Sequence, residues 1–235
     1  MDQRIQVCGD GEKEEAMLRP DAVIWDFNGT ILDDSELAAS AISELLERRG
    51  LQRISTKTHR GRFGFPISEY YRKLGLDLEK ENLSNISDEF HEVYLRGVDQ
   101  CPLNEGVQEV LESLEEMAVR QFVLSAAEQE MVESWVKTVG VQDFFEAVYG
   151  LSDRLAVTKI DRAIDLVNTF GLPAEKTLLI GDTDHDAEVA EAIGCKAILI
   201  PVGHQTRERI EIVNCRLLDS FGDLLHLVRG WESNS

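Results

Sequence analysis

Ala22-Val23-Ile24-Trp25-Asp26-Phe27-Asn28-Gly29-Thr30 decides the fold. The four apolar residues Ala22–Trp25 read as a short buried strand that ends on an acid and turns at Gly29. An aspartate at the carboxyl end of a central strand sits where open α/β sheets place their ligands.

Working outward, Ser35 caps a helix with apolar positions Leu37, Ile42, Leu45 and Leu46, ending at Gly50. A loop with several basic residues follows. A short helix then runs from Ile67 to Leu74, and another from about Ser87 to Leu95. No strong strand is expected between Thr30 and Cys101. After Pro102 helices and strands alternate, with strands at Gln121–Leu124, Phe144–Val148, Thr177–Ile180 and Ala197–Ile200. Alternation of this kind means a parallel sheet with right-handed crossovers, and strands that read as continuous apolar runs are covered on both faces. The fold expected is α/β: a doubly wound parallel sheet with a helical cap inserted after the first strand. The core takes residues 19–34 and 101–235, the cap 35–100, and a polar extension 1–18.

The chain has 235 residues, 43% of them hydrophobic, enough for a core domain and a smaller appended one. A net charge of −20 argues against nucleic acid or an anionic membrane as partner. No apolar run approaches the roughly 18 residues of a membrane span. Cys8, Cys101, Cys195 and Cys215 show no paired spacing, so reduced thiols and a cytoplasmic location are expected. The stretch Met1–Glu15 is too polar for a signal peptide. Met17 as an alternative start, or the first sixteen residues as a mobile extension, are both open.

Four sites at strand ends should converge on one edge of the sheet: Asp26 with Asn28 and Thr30; Ser125; Lys159; and Gly181-Asp182-Thr183-Asp184-His185-Asp186. The set suits phosphoryl transfer. A carboxylate can attack phosphorus to give an acyl phosphate, clustered acids call for a cation, and all-oxygen ligands favour magnesium. Ser125, neighbouring amides and Lys159 can hold phosphate oxygens.

The first of these sites resembles the opening motif, Asp-x-Asp-Gly-Thr, of the haloacid-dehalogenase-like (HAD) phosphohydrolases, with Asn28 at the second Asp. The resemblance extends from about Val23 to Val202, and the insert after the first motif is similar to the cap of the phosphoglycolate-phosphatase-like branch. It implies a HAD-like, Rossmannoid core and a Mg2+-dependent phosphatase acting on a small phosphorylated metabolite, as monomer or homodimer. It implies that Asp26 is nucleophile and metal ligand, and that the backbone carbonyl of Asn28 is a second ligand. Asp182 is the more direct acid of the metal site and Asp186 stands behind it. Thr30, Ser125, Ala126 and Lys159 are implied in phosphate binding.

Asn28 opens three readings. In the family pattern the second Asp protonates the leaving group and later activates water, and Asn exchanges no proton at neutral pH. Either another group supplies the proton, or the leaving group needs none, as in an acyl phosphate, or turnover is lost and a phosphate- or metabolite-binding protein remains. Asp33, Asp34, His59 and His185 are candidate substitutes, each set against a plain capping or surface role. Phosphonoacetaldehyde hydrolase also lacks this Asp but uses a cap lysine, where this chain has Arg60 with Lys57 nearby. The haloacid dehalogenases lack it too, but need no metal, and the Asp182–Asp186 pair speaks against them. Phosphotransfer to another acceptor is a third possibility. Arg60 and Arg62 are expected to meet an anionic substrate on cap closure; Arg48, Arg49 and Arg53 are expected to finish a helix and face water. Phe63 and Phe65 are expected to pack cap against core. His204 follows a strand end and Trp25 packs beside Asp26.

Overall fold

The computed structural model describes residues 19–232, so the polar stretch 1–18 and Cys8 lie outside the described residues. Six parallel strands form one sheet: β1 (Ala22–Trp25), β2 (Arg120–Glu128), β3 (Ala147–Leu151), β4 (Thr177–Gly181), β5 (Lys196–Leu199) and β6 (Arg216–Leu217). Their order is β3-β2-β1-β4-β5-β6. The chain leaves β1 toward β2 on one side and returns to β4 on the other. The strand-order reversal, where α/β sheets open a crevice, therefore lies at β1.

Alternate strand residues feed two cores. Val23, Trp25, Val123, Ile180 and Ile198 enter one; Ala22, Ile24, Phe122, Leu124 and Leu179 enter the other. Both faces are buried, so the strands read as unbroken apolar runs. Trp25 is fully buried and donates its indole N–H to Gln121 Oε1 at 3.1 Å. Phe122, also fully buried, packs on Phe170 with ring centroids 4.8 Å apart. Phe122→Ala is expected to lower unfolding free energy by about 3–5 kcal/mol, read by urea denaturation.

The segment between β1 and β2 is helical: α1 (Ser35–Glu47), α2 (Thr56–Arg62), α3 (Ile67–Lys73), α4 (Leu83–Tyr94) and, closing back on the sheet, α5 (Val107–Glu116). Of these, α1, α3 and α4 share a separate small core around Leu45, Leu46, Tyr70, Tyr71 and Ile86. The expected loop before Ile67 is partly the helix α2, started by Ser55, whose Oγ accepts from Thr58 N at 3.1 Å. Its sequence, Thr-Lys-Thr-His-Arg-Gly-Arg, carries no apolar period to reveal it. The helix α4 starts at Leu83, ahead of the expected Ser87, because Asn82 caps it by accepting from Ser84 N at 2.8 Å.

Arg48 and Arg49 do not simply face water. Arg49 sits 2.6 Å from Glu81 and 2.9 Å from Glu89, and Arg48 holds Glu44 at 2.7 Å, so the basic block ties α1 to α4 and the turn before it. The strand expected at Phe144–Val148 is displaced to Ala147–Leu151. Gln142–Phe144 forms a 3-10 turn, and Phe144 and Phe145 pack on the core from outside the ladder. The remaining helices are α6 (Gln129–Thr138), α7 (Ile160–Phe170), α8 (Asp184–Ile193), α9 (Arg207–Ile210) and α10 (Phe221–Glu232). Among the described residues no helix is long and apolar enough to cross a membrane.

Candidate active site

Strand register brings the candidate residues together. Trp25 pairs with Val123 on one side and Ile180 on the other, so the next residues of the three strands share one edge. Asp26 follows β1 and Asp182 follows β4; Lys159 caps α7 and Asp186 is the third residue of α8. Lys159 Nζ contacts Asp26 Oδ1, lies 2.8 Å from Asp186 Oδ1 and donates to Leu124 O at 3.2 Å. Asp26 keeps 8% of its surface exposed, against 0% for Asp182 and 1% for Asp186. Asp26 is thus the acid of the three that an incoming group can reach.

The other two acids are held from behind. Asp182 accepts from Thr30 Oγ1 at 2.9 Å and from His204 N at 2.5 Å. Asp186 Oδ2 accepts from Thr183 N at 3.0 Å and Thr183 Oγ1 at 2.7 Å, a capping box that fixes the start of α8. Backbone must come close for this. Gly29 has φ +83°, and a Cβ there would fall 2.6 Å from Asp182 Oδ2. A Cβ on Gly203 would fall 2.3 Å from the same oxygen.

Three buried carboxylates face one ammonium. Burial, offset in part by Lys159 and reinforced by Asp186 and Asp182, pushes the Asp26 carboxyl up to about 8. Burial likewise raises Asp182 to about 6, against the pull of His204. Burial opposes the charge on Asp186, but Lys159 outweighs it and holds that acid ionised. The cluster is short of positive charge. Oxygen atoms of Asp26, Asp182 and Asp186 lie within 4.8 Å of one another, a hard all-oxygen donor set that fits magnesium.

The half-buried Asn28 has a polar partner for each end of its amide. Its Oδ1 accepts from Ser125 Oγ at 3.3 Å; its Nδ2 donates to Asp34 Oδ2 at 3.2 Å and to Tyr94 Oη at 3.0 Å. Tyr94 in turn donates to Asp34 Oδ2 at 2.5 Å. His204 Nε2 stands 3.2 Å from Asp34 Oδ1, and its Nδ1 stands 3.0 Å from His59 Nε2. Burial opposes the charge on His204, but Asp34 and Asp182 overcome it and push the imidazolium up to about 9. Burial, with His204 beside it, depresses His59 to about 3. His204 therefore carries both protons, His59 accepts at Nε2, and His59 Nδ1 donates to Tyr70 Oη at 2.7 Å.

This arrangement predicts the outcome of Asn28→Asp. The amide donates toward Asp34, whereas a carboxylate there would meet another carboxylate. We expect a loss of about tenfold in kcat/KM, the size of one buried charge-assisted bond, measured by initial phosphate-release rates. A gain would mean the site wants an acid at this position.

Asp26, Asn28, Ser125, Ala126 and Lys159 line one cavity, which also takes in Asp34, His59 and His204. Thr30 does not line it; it is fully buried behind Asp182. Arg60 and Arg62 do not reach it either. Arg60 Nη2 donates to Pro201 O at 2.6 Å and Gln205 O at 3.2 Å, fastening α2 to the loop after β5, and Arg62 is exposed. Phe63 and Phe65 bridge inserted helices and sheet edge, 5.0 Å from His204 and 4.7 Å from His185 between ring centroids. Asp33 is exposed, and His185 is tied to Glu188 at 2.9 Å. Sequence reasoning gave no weight to Tyr94 and little to His204. The usable signal was Gly203-His204 directly after an apolar strand, a place where backbone approaches the site.

Known proteins give an independent view. The model of the haloacid dehalogenase-like hydrolase family matches residues 23–200. The chain is similar to a phosphoglycolate phosphatase of Pectobacterium atrosepticum, 25% identical over 87% of this chain and 90% of that one. It is also similar to a pyrophosphatase PpaX of Halalkalibacterium halodurans, 22% identical over 76% of this chain and 82% of that one. Among solved structures, a haloacid dehalogenase-like hydrolase from Streptococcus pneumoniae superposes with a TM-score of 0.77 at 21% identity, covering 87% of this chain and 96% of that one.

Proposed function

Because the chain belongs to the haloacid dehalogenase-like hydrolase family, we propose that it is a magnesium-dependent phosphatase that hydrolyses a small phosphorylated metabolite through a phosphoenzyme on Asp26. The observation that carries this is the packing of Lys159 against both Asp26 and Asp186 beside Asp182, at the carboxyl edge of the sheet. Similarity to a phosphoglycolate phosphatase and a pyrophosphatase supports a small phosphorylated substrate.

Asp26, Asp182 and Asp186, with the carbonyl of Asn28, would hold the magnesium, which when bound neutralises charge between nucleophile and phosphate. Asp26 attacks phosphorus, the bond to the leaving oxygen breaks, that oxygen takes a proton from solvent because Asn28 has none to give, and an aspartyl phosphate forms. Lys159 keeps Asp26 turned into the cleft and supplies a fixed positive charge. Ser125 and the amide of Ala126, in the irregular end of β2, donate to phosphate oxygens. Water then attacks phosphorus and returns the carboxylate. The inserted helices act as a cap, with Phe63 and Phe65 excluding bulk water from the cleft. A cytoplasmic setting fits this substrate class.

The test is a phosphate-release time course with magnesium across small phosphoesters and acetyl phosphate, with Asp26→Asn as blank. Sustained release that the blank lacks supports the reading. Release that stops at one equivalent, or none, favours the alternative that Asn28 suggests, a protein that binds phosphate compounds without turnover. Chelation with EDTA is expected to abolish release, and added Mg2+ to restore it; activity that persists in EDTA contradicts the metal dependence.

A further inference from the structure

We propose that the compound this cleft accepts carries, beyond its phosphate, a compact, uncharged and apolar organic group rather than a carboxylate or a second phosphate. The inference rests on the phosphatase reading above and narrows its substrate class.

Asp26, Ser125 and Lys159 lie on the cavity wall where the phosphate is attacked. Beyond them the surface is mostly apolar, from Ile42, Phe63, Phe65, Tyr71, Phe90 and Trp135, with Asp34, Glu128, Arg154 and His204 among the polar side chains between them. Each cation on the lining already has its carboxylate. Lys159 is matched by Asp26 and Asp186. His204 is matched by Asp34. Arg154 lies 2.7 Å from Glu128 and 3.7 Å from Asp88. Arg60, on the adjacent helix, does not line the cavity, and its Nη2 is held away by the carbonyls of Pro201 and Gln205. A second anionic group would therefore enter a mostly apolar wall beside Asp34 and Glu128 with no unpaired cation on the lining to meet it, which is unfavourable.

Size points the same way. The cavity encloses about 130 Å³, a little under the roughly 150 Å³ apolar void that holds one benzene. Phosphate sits against Asp26, so the remaining space suits a chain of only a few carbons.

The experiment uses the wild-type protein with Mg2+, acetyl phosphate as reporter substrate and Asp26→Asn as blank. n-Propyl phosphate and 2-phosphoglycolate, close in size and differing in the carboxylate, are compared as competitors. The inhibition constant of n-propyl phosphate is expected to be at least about tenfold lower, a conservative share of the cost of an unpaired charge. Equal competition, or tighter competition by 2-phosphoglycolate, overturns the inference while leaving the phosphatase reading intact. Absence of any Asp26-dependent release from acetyl phosphate removes the phosphatase reading and the inference with it. Phe90→Lys adds a cation from a half-buried position on α4 and is expected to swing the preference toward 2-phosphoglycolate. An unchanged ratio in that folded variant would also overturn the inference, because the apolar wall would then not set the preference.

Discussion

Asp26→Asn is expected to lose essentially all phosphate release, by about 10⁴–10⁶-fold, the range seen when an enzyme's nucleophile is removed. The carboxamide keeps the shape of the side chain and can still meet Lys159 through its oxygen, but it cannot form an acyl phosphate. The fold should not suffer. Burial raises the Asp26 carboxyl to about 8, so an ionised Asp26 is costly in the absence of a cation, and a neutral amide removes that cost. A melting temperature at least equal to wild type in EDTA is therefore expected beside the lost activity. Intact-mass measurement after mixing with acetyl phosphate should show a phosphorylated species in the wild type alone. A phosphorylated Asp26→Asn protein would place the nucleophile elsewhere.

Lys159→Met is expected to injure stability and activity together. The ammonium is buried between Asp26 and Asp186, and its removal leaves buried carboxylates without a counter-charge. Breaking one side of such a pair costs about 3–5 kcal/mol. The loss has a sign in pH. Without Lys159 the Asp26 carboxyl rises further above its unfolded value and Asp186 loses the charge that holds it below its own, so the folded state binds more protons than it does in the wild type and stability falls faster as pH rises. The melting deficit against wild type, both in EDTA, should be wider at pH 8 than at pH 5. A deficit independent of pH would show that Lys159 acts there by packing alone. A drop of about 10²–10³ in kcat is expected as well, the size of one lost donor to developing charge.

Most of the core was readable from the chain because buried parallel strands leave unbroken apolar runs. Ala22–Trp25 and Thr177–Ile180 are such runs; Asp26 follows the first at once and Asp182 follows the second after Gly181. Where burial was one-sided or the element was polar, reading failed. The helix Thr56–Arg62 has no apolar face to betray it, and Phe144 and Phe145 are apolar without being in a strand. Arg49 looked unpaired because its acids, Glu81 and Glu89, are more than thirty residues away in the chain.

By itself the sequence determined the alternating α/β core, the meeting of Asp26, Ser125, Lys159, Asp182 and Asp186 at one edge of the sheet, and the helical insert. Strand periodicity and the shared direction of a parallel sheet carry that information locally. Tertiary structure alone decided what surrounds Asn28. Asp34, Tyr94, His204 and His59 come from a turn, two inserted helices and the loop after β5, and they meet only once the helices close over the sheet. It also decided that Arg60 binds backbone carbonyls, leaving the cleft wall apolar. Charge pairing across the fold depends on distance in space, and no spacing along the chain encodes it.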